Sequence, residues 1–239
     1  MRIAVLSDIH GNRTAFEAVL ADLGETSPDL VFHGGDLADA GSSPVEIVDR
    51  IRELGWQGVR GNADEMLSRP ESLREFASPF PEMKPLFDVV EELAAATRER
   101  LGAERLAWLG GLPLRQLRGP MALVHARPDT PWRAPFPDAS DADLEAVYGV
   151  LDRPIVVYGH IHLPFVRNLP GRIVANSGSV GLPHDGDRRA GYLLLDDSKA
   201  VIRRVEYDVD RELEALSQCG LPHADWVARI LASASPQVS

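Results

Sequence analysis

The first sixty residues alternate between two hydrophobic periods. "RIAVLS" (2–7), "DLVFHGG" (29–35) and "WQGVRG" (56–61) read as strands. Between them, "HGNRTAFEAVLADLG" (10–24) and "SSPVEIVDRIRELG" (42–55) read as helices, the first carrying Phe16, Val19, Leu20 and Leu23 on one face. Asn12 is placed to cap the first helix and Gly24 to end it, while Ser43 and Pro44 open the second. A β-α-β-α-β order leaves few topologies. Strands joined by helical crossovers run parallel, the crossovers are right-handed, and the loops at the carboxyl ends of the strands gather along one edge.

Residues 82–110 are expected to be mostly helical, and 112–126 to form a hairpin leading into His125. The Pro-rich stretch "RPDTPWRAPFPDAS" (127–140) is expected to be a surface loop. A helix from Asp141 to Leu151, capped by Ser140, precedes the strand 155–158. Short strands in "FVRNLPGRIVANSG", "GYLLLDD" and "AVIRRVEYDV" predict a mainly antiparallel second sheet, and helices over 209–217 and 223–233 close the chain. At 239 residues the chain suits one large α/β domain spanning 1–239, with cap-like segments near 65–100 and 127–140.

A formal net charge of −11 argues against a general nucleic-acid or anionic-membrane surface, which needs a basic patch. No run of about 18 apolar residues predicts a membrane span. The opening "MRIAVLSD" is too short in its apolar part for a signal peptide, and the single cysteine, Cys219, precludes an internal disulfide. These features together predict a cytoplasmic protein. They leave the oligomeric state undetermined.

Side chains able to bind metal ions fall at the strand ends. Asp8 and His10 ("SDIHGN") follow the first strand, Asp36 ("GGD") the second and Asn62 ("RGNAD") the third. His125 ("VHA") follows a later strand, and His160 and His162 ("YGHIH") follow the last of the parallel type. Each has an ordinary alternative as a helix cap, a turn residue or a backbone-bonded histidine. Five independent turns seldom all place such groups after apolar strands. Two carboxylates, a carboxamide and four imidazoles are too many for one tetrahedral ion, and suit two ions about 3.5 to 4 Å apart with the central Asp36 shared. Two divalent cations against two carboxylates leave about +2 at the site, a seat for phosphate.

The series D-x-H, GD, GN-x-D, a lone His and GHxH runs in this order from Asp8 to the "NSGSVGLPHDGD" segment (176–187). It resembles the calcineurin-like metallophosphoesterase superfamily, and within it the small bacterial phosphoesterases. The resemblance implies an α/β fold: a four-layer α-β-β-α sandwich with two mixed sheets and a dinuclear metal site at the strand ends. It also implies one metal held by Asp8, His10, Asp36 and His162 and a second by Asp36, Asn62, His125 and His160. Asn62, Asp64 and His160 are then the candidate catalytic residues. The expected activity is hydrolysis of a small phosphate-containing substrate by a hydroxide bridging the metals. Ligands without thiolate fit manganese, iron, zinc, cobalt or nickel, and manganese is expected, partly from the resemblance.

Two departures from the family pattern bear on the substrate. Ala63 stands where many members carry a His that acts on the leaving group, so Asp64 has no imidazole to orient and could equally cap "DEMLSR". Ala40 replaces the Arg of the G-D-x-x-D-R-G pattern that grips phosphate in protein phosphatases and symmetrical dinucleoside tetraphosphatases. Without a general acid, worth about 10² to 10⁴ in rate, phosphodiesters or activated esters are favoured. A phosphomonoesterase, a nucleotide phosphatase and a non-catalytic metal-binding scaffold remain as alternatives. Asn12, His33 and Arg127 are candidate substrate contacts; helix capping, sheet packing and a solvated loop charge are the other uses open to them. Trp132 and Phe136 in the Pro-rich loop either cover a substrate or pin the loop to the body.

Overall fold

The computed structural model describes residues 1–197 and 199–237. Strands β1 (Arg2–Leu6), β2 (Leu30–His33) and β3 (Gln57–Gly58) alternate with α1 (Arg13–Thr26) and α2 (Pro44–Leu54). Helices α3 (Asn62–Ser68), α4 (Glu71–Ala77) and α5 (Lys84–Gly110) follow, then the hairpin β4 (Arg115–Arg118) and β5 (Met121–Val124), α6 (Asp141–Tyr148) and β6 (Ile155–Tyr158). Hairpins β7 (Phe165–Leu169)/β8 (Arg172–Asn176) and β9 (Ala190–Asp196)/β10 (Lys199–Val205) precede α7 (Val209–Gln218) and α8 (Ala224–Ser233).

Two five-stranded sheets result, ordered β10-β9-β1-β2-β3 and β4-β5-β6-β8-β7. In the first, β1, β2 and β3 are parallel and β9 runs antiparallel to β1; in the second, β5, β6 and β8 are parallel and β4 and β7 pair antiparallel at the edges. Both sheets are therefore mixed. The expected antiparallel second sheet does not form. The β9/β10 hairpin instead closes on β1, because Leu193 and Leu195 add their inward faces to the core between the sheets.

Side-chain alternation separates the layers. Ile3 and Val5 meet Leu123, Ile155 and Val157 in the core between the sheets, whereas Ala4 and Leu6 face α1 and α2. Ala122, Val124, Val156 and Tyr158 face the opposite way, onto Leu144 and Tyr148 of α6. Three apolar interfaces thus define four layers, α-β-β-α.

Local differences from the sequence reading have local causes. Helix α1 runs past Gly24 to Thr26 and ends at Ser27, which is left-handed at φ 46° with its N–H on Leu23 O; the following Pro28 forbids further helix. Asn12 does cap this helix, accepting from Ala15 N at 2.9 Å. Strand β3 is only two residues long because β2 ends at His33: Val59 N reaches His33 O, and Arg60 N then turns to Pro113 O. Ser140 caps α6 through a reciprocal box with Asp143. Helix α5 breaks at Gly102, whose φ of 68° is open to a residue without Cβ. Among the described residues no helix is long and apolar enough to cross a membrane.

Candidate metal centre

The parallel strands of both sheets deliver their carboxyl ends to one edge. Beyond β1 and β2 the loops stay paired: Asp8 N, His10 N and Gly11 N donate to Gly35 O, Asp36 O and Leu37 O. The segment after β8 locks them from the other side. Val180 N and Gly181 N bond Ser7 O and Asp8 O, and Ser179 Oγ donates to Asp8 O at 2.7 Å. The "NSGSVGLPHDGD" stretch therefore frames the loop that carries Asp8. Close approach demands glycine at Gly159, where a Cβ would lie 2.5 Å from Asp8 Oδ2, and at Gly61, where it would lie 2.0 Å from Asp36 Oδ1.

Five of the seven candidate ligands sit in left-handed backbone: Asp8, His10, Asp36, His160 and His162, with φ between 47° and 67°. Asp and His tolerate this region better than branched residues, yet such conformations cost about 1 kcal/mol or more each and persist only where the surroundings impose them. The sharp turns swing successive side chains into one cleft. They also break the simple i, i+2 geometry of an extended strand at His160 and His162.

The ligand atoms fall into two clusters, Asp8–His10–His162 and Asp36–His125–His160, each with its ligand atoms within 4.8 Å of one another. His162 Nε2 lies 3.2 Å from Asp8 Oδ1 and 3.2 Å from His10 Nε2. Asp36 Oδ2 lies 3.8 Å from His10 Nε2 and 3.4 Å from His125 Nε2, so this carboxylate faces both clusters. Asn62 Oδ1 stands 3.0 Å from His125 Nε2 and 2.8 Å from His160 Nδ1.

Backbone carbonyls fix three of the rings. His10 Nδ1, His125 Nδ1 and His162 Nδ1 bond Asp39 O, Gly34 O and Leu182 O, which can only accept. The proton therefore sits on Nδ1 in the neutral ring and each Nε2 lone pair points into the cleft. Two such lone pairs, those of His10 and His162, face each other at 3.2 Å, an arrangement that suits a cation. Burial opposes charge on Asp8 and Asp36, but His162 beside the first and His125 beside the second hold both carboxyls below their ordinary value. Conversely, Asp36 outweighs burial at His125 and lifts it to about 9, so a cation binding there displaces the Nε2 proton of that ring.

Asp64 has a backbone role. Its carboxylate accepts from Asp36 N (2.8 Å), Leu37 N (3.0 Å) and Gly61 N (2.9 Å), capping α3 while holding the Asp36 turn. Burial and the Asp36 charge push it up to about 6. Ala63 contributes its N–H to Asp36 Oδ1 at 2.8 Å.

The candidate substrate contacts lie apart from the clusters. Asn12 is 3% exposed, and its amide is spent on Ala15 N, Gly181 O and Tyr207 OH. His33 is fully buried against Trp108, on the helix face of its sheet, and burial keeps it neutral, with a pKa lowered to about 3. Arg127 is half-buried, its N–H on Thr130 O, and it does not line the cavity above the clusters. Trp132 pins its loop: it stacks on Phe76 at 4.8 Å and donates from Nε1 to Glu65 Oε2 at 2.6 Å, with Arg133 over Phe76 and Phe80. Phe136 is 58% exposed.

Two residues at the site carried no distinctive sequence signal. Asp39 is buried beside His10, and burial lifts its carboxyl to about 7. His184 stacks on His162 with ring centroids 4.3 Å apart, and its buried Nε2 has no partner. Burial first, and then His162, pull it down to about 2, so the ring is neutral. A GLPHDG turn gives no hint of this, because a histidine after Pro reads as a loop residue.

Two mixed sheets packed face to face, with carboxylate–imidazole clusters where their parallel strands end, define the class of the calcineurin-like phosphoesterases. Residues 1–200 match the calcineurin-like phosphoesterase superfamily domain, and the chain belongs to that superfamily. It is 32% identical over 252 aligned positions, 96% of each chain, to an uncharacterized protein of Methanocaldococcus jannaschii. Over 62% of its length and 52% of the relative's it is 30% identical to a symmetrical bis(5'-nucleosyl)-tetraphosphatase of Aromatoleum aromaticum. Among solved structures, a metallophosphoesterase from Sphaerobacter thermophilus superposes with a TM-score of 0.79 at 28% identity, covering 98% of this chain and all of the other.

Proposed function

We propose that this chain hydrolyses phosphodiesters or activated phosphate esters, with two divalent cations, manganese by preference, held by Asp8, His10, Asp36 and His162 and by Asp36, Asn62, His125 and His160. The observation that carries this reading is the set of inward lone pairs: three Nε2 atoms fixed by carbonyls, beside Asp8 and Asp36 kept ionised, with Asp36 facing both clusters. The donor set, oxygen and imidazole without thiolate, fits manganese as well as iron, zinc, cobalt or nickel. Such cations supply positive charge for the phosphoryl oxygens and an acidified water for attack on phosphorus.

The chain's own groups do the rest. Asp36 shares its charge between the clusters and Asn62 keeps a neutral oxygen beside His125 and His160. Asp64 fixes the turn that presents Asp36, acting as a positioning residue. Hydrolysis joins the water oxygen to phosphorus and breaks the phosphorus–oxygen bond to the leaving group, whose oxygen takes up a proton. Ala63 lines the cavity with a methyl group and offers no proton. A leaving group that departs without help is therefore favoured, since a general acid is typically worth about 10² to 10⁴ in rate.

Protein stripped of metal by chelation and resupplied with manganese is expected to turn over bis(4-nitrophenyl) phosphate faster than 4-nitrophenyl phosphate. That turnover should be absent in chelator and in His160→Ala. Tight metal uptake without turnover of either ester, in any of the five metals, would replace this reading with a non-catalytic scaffold.

A further inference from the structure

Two cavities meet at the candidate centre. One, of about 200 Å³, reaches His10, Asp36, His160 and His162 of the clusters and the buried Asp39, and its apolar wall includes Met66, Leu93, Leu182, Trp226, Val227 and Ile230. The other, of about 460 Å³, opens beside Arg133, Ala134, Phe136 and Leu163. His160 and His184 line both. The His184 ring thus stands at the boundary between the two.

The smaller cavity has a lining without Arg or Lys. Cations at the clusters can neutralise one phosphoryl group, but further phosphates reaching toward α5 and α8 would be desolvated against apolar side chains with no counter-charge. Its apolar wall is shared by α3, α5 and α8, the last of which lies beyond residues 1–200 matched by the family domain. Trp226, Val227 and Ile230 of α8 thus add to the wall above the centre from outside the span of the family domain. The part of this cavity away from the candidate ligands, walled by aliphatic and indole groups, fits only a small uncharged apolar substituent.

Resting on the phosphoesterase reading, we propose that the substrate is a phosphodiester with two unlike arms: a compact, uncharged, apolar arm seated between α5 and α8, and a larger arm in the cavity beside Arg133 and Phe136. Trp226, Val227 and Ile230 select the compact arm. Polyphosphate chains are disfavoured in that position, which sets this site apart from one built for dinucleoside tetraphosphates.

Titration calorimetry of the manganese-loaded chain with methylphosphonate, phenylphosphonate and pyrophosphate tests this, because neither phosphonate has a hydrolysable phosphorus–oxygen–carbon link. Phenylphosphonate is expected to bind at least about tenfold more tightly than methylphosphonate, the return on burying one ring. It should also exceed pyrophosphate. In Val227→Trp, which fills the small cavity, the phenyl-to-methyl ratio should fall toward one. Equal binding of the two phosphonates by the unaltered chain, tighter pyrophosphate binding, or an unchanged ratio in a folded Val227→Trp protein overturns the inference alone. Failure of both phosphonates to bind, together with no turnover of bis(4-nitrophenyl) phosphate, overturns the phosphoesterase reading and this inference with it.

Discussion

Asp36→Asn is expected to lower phosphodiester turnover by about 10³-fold or more, because it removes the one negative charge that faces both ligand clusters. The substitution is close to isosteric, and an Asn oxygen can still accept from Ala63 N, so the turn around residue 36 keeps its shape. Metal content after gel filtration, read by elemental analysis, should fall in parallel. The thermal midpoint measured in chelator at neutral pH should fall, since the pairing that holds the Asp36 carboxyl below and the His125 imidazole above its ordinary value is lost. Turnover within tenfold of the parent, at full metal loading, would show that Asp36 is not the shared ligand and would remove the basis for a paired centre.

Asp64→Ala is expected to act on the fold first. Three buried backbone N–H groups, those of Asp36, Leu37 and Gly61, lose their acceptor at once. At roughly 1 to 3 kcal/mol for each orphaned donor, less whatever water recovers, the loss is about 3 to 5 kcal/mol. That corresponds to a fall in thermal midpoint on the order of 10 °C for a chain of this size, measurable in chelator so that metal binding does not mask it. Asp64→Asn should fall between, keeping one oxygen while aiming an amide N–H at donors. Metal affinity should drop about 10- to 100-fold in Asp64→Ala through the loosened Asp36 turn. A midpoint unchanged by Asp64→Ala would show that the three donors find other partners and that Asp64 does not hold the Asp36 turn.

These two positions show how unevenly the site could be read in the sequence. Asp36 follows an apolar strand in a chain of alternating strands and helices, so its place at the common edge follows from topology. Asp64 does not declare its task, because its partners lie 27 and 28 residues away in sequence and are backbone groups, which every residue possesses. His184 is hidden for a similar reason. Its turn is fixed by Ser179 and Gly181 bonding to the Asp8 loop, and only that docking brings the imidazole onto His162. His33, by contrast, follows the rule that placed Asp36 yet faces the helix layer, since it is still inside the strand and alternation, not the loop, sets its direction.

The Pro-rich loop makes the same point about packing. Proline content excludes regular structure over 127–140, but not where the loop lies. Tyr158 OH on Pro135 O and Arg167 on Pro137 O tie it to the second sheet, and the Trp132–Phe76 stack ties it to α4.

Hydrophobic period and chain order by themselves determined the parallel strands β1 to β3, their crossover helices and the strand ends after which Asp8, Asp36, Asn62, His125, His160 and His162 emerge, since each depends on residues near in sequence and on the handedness of the chain. Tertiary structure alone decided that β9/β10 closes on β1 and β8 joins β6 in parallel, that five turns bearing candidate ligands are left-handed, that carbonyls set the histidine tautomers, and that α8 helps to wall the cavity. All of these are contacts between distant segments, and their energies exist only once the segments meet.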